Sequence, residues 1–230
     1  MSPLERKPSL VLLPGRLREV IPQEVFDYQT LMQGLAGYAS PRDKVTDLLS
    51  KGIVIRLKKG LYLFGEPYRR ALVSRELIAN LLYGPSYISL DYALQFHGMI
   101  PEAVETVTSV TTGRSRKFST PVGSFTYRRI TLKAFRSGMD LMQTNNGPTF
   151  LMATPEKALA DKVMAERGIE IANVAALREH LTESLRIAPE DLTRLNLPRL
   201  QRIAASCRSR RLDLLARLVK DEQSSSGKET

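Results

Sequence analysis

The spacing of apolar positions changes along this chain, and each change marks an element. Leu31, Met32 and Leu35 recur at helical spacing behind Asp27, a residue type that caps helix starts. Gly34, Gly37 and Ser40 then punctuate a turn. Ser40 stands as the cap of a second helix, with Pro41 at its first position and Asp43 in its first turn. Val45, Leu48 and Leu49 give that helix one apolar face, and Gly52 ends it in a left-handed conformation. Residues 53–55 and 61–64 are β-rich, and Lys58-Lys59-Gly60 joins them as a hairpin turn.

Helical spacing returns at 74–83 through Leu77, Ile78, Leu81 and Leu82, and Gly84-Pro85 stops it. A second short helix is expected over 87–98, with Leu90, Ala93, Leu94 and Phe96 inward and Gly98 at its end. From 104 to 127 the period becomes two, with Pro121-Val122-Gly123 as a turn. Thr154, Pro155 and Glu156 open another helix; Ala158, Leu159, Val163 and Met164 form its apolar face and Gly168 closes it. Three helices follow, marked by Val174–Leu177–Leu181, by Leu200–Ile203–Ala204 behind Pro198, and by Leu212–Leu215–Leu218. The expectation is an α+β chain. A winged helix-turn-helix over 1–68 precedes a mixed α/β domain over 69–170, C-terminal helices over 171–220 and a disordered tail over 221–230.

Charge sharpens the reading of the first segment. The 230 residues carry 34 Lys+Arg against 24 Asp+Glu, net +10, which favours a polyanionic partner. Residues 1–70 hold 12 basic and 7 acidic side chains, a larger excess than later segments of similar length. Helix, turn, helix and a two-stranded wing form the layout of a winged-helix DNA-binding module. With Val45, Leu48 and Leu49 inward, Arg42, Lys44, Thr46 and Asp47 are left for a groove, while Lys51, Arg56, Lys58 and Lys59 are placed for phosphates. The same residues also fit an ordinary α+β subdomain with a lysine-rich surface turn. A second basic feature lies in 106–139, which contains no acidic residue. Arg114, Arg116 and Lys117 are expected in a loop there, and one of Arg128 or Arg129 is expected to join them in a patch. This stretch fits either a solvated sheet face or a contact to DNA, RNA or an acidic partner.

Catalytic and metal chemistry find no pattern. His97 and His180 are far apart, and no metal-ligand spacing occurs. There is no phosphate-binding Gly-Lys-Ser/Thr loop and no Gly-x-Ser-x-Gly elbow, so neither a cofactor nor an enzymatic activity is expected. Cys207 is the single cysteine, in an Arg-rich helix without a nearby base. Asp161 reads as an i,i+4 partner of Lys157, and Glu156 points to another face. Lacking a signal peptide and an apolar run near 18 residues, the chain is expected to be cytoplasmic, with no membrane partner.

Three stretches resemble the AbiEi-type antitoxins of type IV toxin–antitoxin and abortive-infection systems. Residues 48–62 (LLSKGIVIRLKKGLY) are similar to that family's winged-helix ending. Residues 87–98 (YISLDYALQFHG) resemble its Tyr-Ile-Ser…Ala-Leu…His-Gly helix. Residues 154–161 (TPEKALAD) resemble its Thr-Pro-Glu-(Lys/Arg)-(Ala/Thr)-Leu-x-Asp helix start. The resemblance implies a winged-helix domain and a larger antitoxin domain. It also implies repression of the chain's own operon through inverted repeats in promoter DNA, by a protein that is a monomer in solution or a dimer on DNA. Finally, it implies neutralisation of a cognate nucleotidyltransferase-like toxin, by contact, by modification or indirectly. A phosphotransferase acting on the toxin through Asp161, and a regulator without antitoxin role, are the alternatives.

Overall fold

The computed structural model describes residues 13–143 and 147–226. The chain is mixed α+β and divides into two compact units, Met1–Val73 and Ser74–Thr230.

In the first unit the order is α1 (Leu13–Val20), β1 (Val25–Asp27), α2 (Tyr28–Gly34), α3 (Pro41–Ser50), β2 (Val54–Lys58) and β3 (Leu61–Phe64). The three strands form an antiparallel sheet in the order β1-β3-β2. Asp27 caps α2, its carboxylate accepting the Thr30 amide at 2.8 Å. Ser40 occupies the cap position of α3, but only its carbonyl serves the helix, accepting the Lys44 amide. The apolar faces of both helices meet the sheet in one core of Leu31, Leu35, Val45, Leu48, Tyr62 and Phe64, closed by Leu17 of α1 and by Ile21 just after it. Gly65 lies where two backbones cross: a Cβ there would sit 1.9 Å from the Gly52 carbonyl oxygen. Strand β2 runs on to Lys58, three residues past the expected end at 55, leaving Lys59 and Gly60 (φ +88°) as the turn.

The expected boundary at 68 moves to Val73. Glu24 draws residues 70 and 71 back into the first unit: its Oε1 accepts the Arg70 and Ala71 amides and pairs with Arg18 at 2.5 Å. Arg18 in turn lies 4.2 Å over the Phe64 ring.

The second unit is built on a six-stranded mixed sheet in the order β6-β7-β5-β4-β9-β8. Its strands are β4 (Ser86–Ile88), β5 (Val107–Thr111), β6 (Arg116–Thr120), β7 (Gly123–Arg129), β8 (Met139–Gln143) and β9 (Thr149–Ala153). Its helices are α4 (Arg75–Leu82), α5 (Leu90–Phe96), α6 (Leu132–Phe135), α7 (Pro155–Ala165), α8 (Val174–Glu179), α9 (Pro189–Thr193), α10 (Leu197–Cys207) and α11 (Arg210–Ser226). Helix α4 covers one face, where the Tyr127 hydroxyl donates to the Ala79 carbonyl at 2.6 Å. Helix α7 lies toward the other, where Tyr87 reaches Asp161.

Several expectations shift here. Tyr87 and Ile88 belong to strand β4 rather than to a helix; both are fully buried in a central strand only three residues long, too short for an alternating pattern. Residues 104–106 precede β5 instead of joining it. Helix α7 ends at Ala165, three residues before Gly168, and Met164 is 45% exposed rather than part of its apolar face. Helix α9 comes in addition to the three helices expected. Helix α11 carries residues 221–226, placed in a disordered tail above; 227–230 lie outside the described residues.

Candidate nucleic-acid interface

In α3, packing of Val45 and Leu48 inward leaves Arg42, Asp43, Thr46 and Ser50 exposed on the outer face. Lys44 is turned away from that face. Its ammonium sits 2.5 Å from Asp47 Oδ2 and 5.7 Å from the Tyr38 ring centre, and its side chain is only 12% exposed. Lys51 approaches the other Asp47 oxygen at 2.7 Å. Hydrogen bonds from Lys44 and then Lys51 hold the Asp47 carboxyl below its usual range. Of the four groove candidates, Arg42 and Thr46 therefore stand outward, whereas Lys44 and Asp47 are engaged with each other.

Along the hairpin, Arg56 on β2 and Lys59 at the turn are exposed, and among the described residues their side chains enter no hydrogen bond or ion pair. Lys58 is half-buried, and burial lowers its ammonium pKa. On α3 and the hairpin, the described residues thus present three uncommitted cations, Arg42, Arg56 and Lys59, with Asp43 the acid nearest in sequence to Arg42 on the exposed face.

The second basic set is divided by strand alternation. Arg116 and Lys117 lie in β6, not in a loop, and adjacent strand residues face opposite ways. Register places Arg116 opposite Tyr127 and Lys117 opposite Thr126, so Arg116 and Arg129 share the α4 face while Lys117 and Arg128 share the α7 face. Arg116 lies 5.7 Å over the Tyr83 ring centre; the Arg128 guanidinium donates to the Ala165 carbonyl at the end of α7. Arg114 stays in the loop before β6. Alternation thus parts Arg116 and Arg129 from Lys117 and Arg128 across the sheet, yet all four edge one hollow at the end of β7, with Arg114 outside its lining.

The sequence also understated a buried polar network. Lys157 and Asp161 do pair at i,i+4, at 2.6 Å, but with side chains 1% and 4% exposed rather than on a solvated helix surface. Asp161 further accepts the Ser89 hydroxyl at 2.8 Å and the Tyr87 hydroxyl at 3.3 Å. Burial pushes the Asp161 carboxyl up, while Lys157, Ser89 and Tyr87 favour its anion. Burial and the Asp161 charge push the Tyr87 hydroxyl far above its usual range. Glu156 faces elsewhere, accepting the Asn196 amide at 2.8 Å. The only sequence signal for the network was the pairing distance in 157–161; that Ser89 and Tyr87 converge on it depends on sheet topology.

His97 Nε2 lies 2.8 Å from the Ala153 carbonyl, a structural contact. Among the described residues no group of three or more His, Cys, Asp or Glu is placed to hold a metal ion. No helix among them is long and apolar enough to cross a membrane. Compared with protein-family models and with curated protein sequences, the chain matches none.

Proposed function

We propose that this chain is a DNA-binding repressor whose first unit is a winged helix-turn-helix, with α3 as recognition helix and the β2–β3 hairpin as wing. The observation that carries the reading is the exposed, uncommitted trio Arg42, Arg56 and Lys59 on these two elements. Arg42 and Thr46 lie toward the start of α3, the end of a recognition helix that meets base edges. Arg56 and Lys59 suit phosphates, which fix register without reading sequence. The target is promoter DNA carrying inverted repeats, one copy of the chain per half-site.

The antitoxin role rests on the resemblance of 87–98 and 154–161 to AbiEi-type antitoxins. In this reading the second unit opposes a nucleotidyltransferase-like toxin without a catalytic step. Asp161, the residue a phosphotransferase would use, is buried and held by Lys157, Ser89 and Tyr87, an arrangement that suits packing.

The test is binding of the purified chain to the DNA upstream of its own gene and to a scrambled duplex, with rescue of cells expressing the neighbouring toxin gene measured alongside. Upstream DNA bound at least tenfold more tightly, together with rescue, is expected. Equal binding to both duplexes, or no rescue, contradicts the corresponding half of the proposal.

A further inference from the structure

We propose that a cleft in the second unit, beside the C-terminal ends of β7 and α7, binds a small organic anion: a phosphate-type head joined to an apolar body. Two adjoining hollows of about 630 and 850 Å³ share Leu90, Arg128, Arg129 and Arg167 as lining. Each has the volume of a small-molecule site, which commonly spans roughly 300–1,000 Å³.

Their linings differ in kind. The first is walled by apolar side chains that the fold leaves exposed in spite of their cost in water, Leu132 at 53% and Met164 at 45%. The second brings in Lys117 from the α7 face of β6, beside Arg128 and Arg167. Lys117 and Arg167 are exposed, and among the described residues their side chains enter no ion pair or hydrogen bond. Arg128 is oriented by the Ala165 carbonyl, which leaves further guanidinium donors of its rigid fork for a ligand. The acids in the lining are already neutralised: Asp91 is paired with Lys162 at 2.7 Å and Asp161 with Lys157. The cleft therefore has uncompensated positive charge at one end and apolar surface at the other.

The backbone supplies a further sign. Leu90, common to both hollows, adopts φ +63°, a left-handed conformation costly for a branched side chain. The apolar wall separates this site from a duplex contact, because a phosphate backbone makes no use of exposed Leu132 and Met164 while an amphiphilic small anion covers them. The site lies wholly in the second unit and stands whether or not the first unit binds DNA.

The experiment uses the full chain, with anilinonaphthalene sulfonate as an anionic amphiphile probe and inorganic pyrophosphate as competitor. Cys207, the single cysteine, lines the first hollow and gives an independent readout through its rate of thiol labelling. Saturable probe fluorescence, displacement by pyrophosphate and slower Cys207 labelling in the presence of the probe are expected. The Lys117→Ala/Arg167→Ala variant removes two exposed side chains and should melt as wild type while binding pyrophosphate at least tenfold more weakly. Failure of pyrophosphate to displace the probe, unchanged Cys207 labelling, or unaltered binding by the variant overturns the proposal. So does displacement of the probe by a short DNA duplex at lower phosphate concentration than by pyrophosphate, which makes the cleft a nucleic-acid contact.

Discussion

Replacing Asp161 with Asn isolates one charge in the core of the second unit. Asparagine keeps the shape and an oxygen that can accept from Ser89 and Tyr87, but it leaves the Lys157 ammonium, 1% exposed, without a counter-charge. Breaking a buried pair by neutralising one partner costs about 3–5 kcal/mol, because the survivor has lost its water and gained nothing. Removing both charges, in Lys157→Met/Asp161→Asn, should recover most of that loss and fall within about 1–2 kcal/mol of wild type. Urea unfolding followed by circular dichroism measures both quantities, provided the transitions of the two units are resolved. A single-variant loss under about 1 kcal/mol would refute the reasoning by showing that the pair is solvated. A double variant no more stable than Asp161→Asn would show that hydrogen bonding, not charge, is what the carboxylate contributes.

Three further outcomes are expected. Gly65→Ala forces a methyl to within 1.9 Å of the Gly52 carbonyl, backbone that cannot swing aside, and should destabilise the first unit by about 1–3 kcal/mol in urea titration, whereas Gly37→Ala, with open space, should not. Asp27, whose carboxyl pKa is lowered chiefly by the Thr30 amide, contributes stability above pH 3.8 that fades as pH falls through its depressed folded value. Asp27→Asn keeps a cap but should flatten this acid dependence, and Asp27→Ala should cost about 1 kcal/mol at neutral pH. Arg42→Ala should cost about 1–3 kcal/mol on upstream promoter DNA and much less on random duplex in fluorescence anisotropy, equal losses marking Arg42 as a backbone contact only.

Much of the first unit was legible because its signals are local. The Asp27 cap, the Ser40-Pro41 start, the left-handed Gly52 and the Gly60 turn are each set within a few residues, and the structure places all four. Lys44 was misplaced because helical spacing does not show that Tyr38 and Asp47 draw its ammonium inward. In the second unit the deciding contacts are remote. Strand β4 is held between β5 and β9, partners some 20 and 60 residues away, and nothing in Tyr87-Ile88 alone announces them. Lys157 and Asp161 have the composition of a solvated helix face; only the convergence of Ser89 and Tyr87 with α7 makes them core. The basic residues of 106–139 were correctly counted, but one strand step between Arg116 and Lys117 sends them to different faces.

The central claim is that the first unit grips a phosphate backbone through Arg56 and Lys59 beside α3. The most direct test is the slope of log affinity against log salt for promoter DNA, comparing the wild-type chain with Arg56→Ala/Lys59→Ala. Each phosphate contact contributes about 0.9 to that slope, so two lost contacts should make it shallower by about 2, with affinity falling on specific and random duplexes alike. An unchanged slope, with affinity intact on both duplexes, would contradict the account.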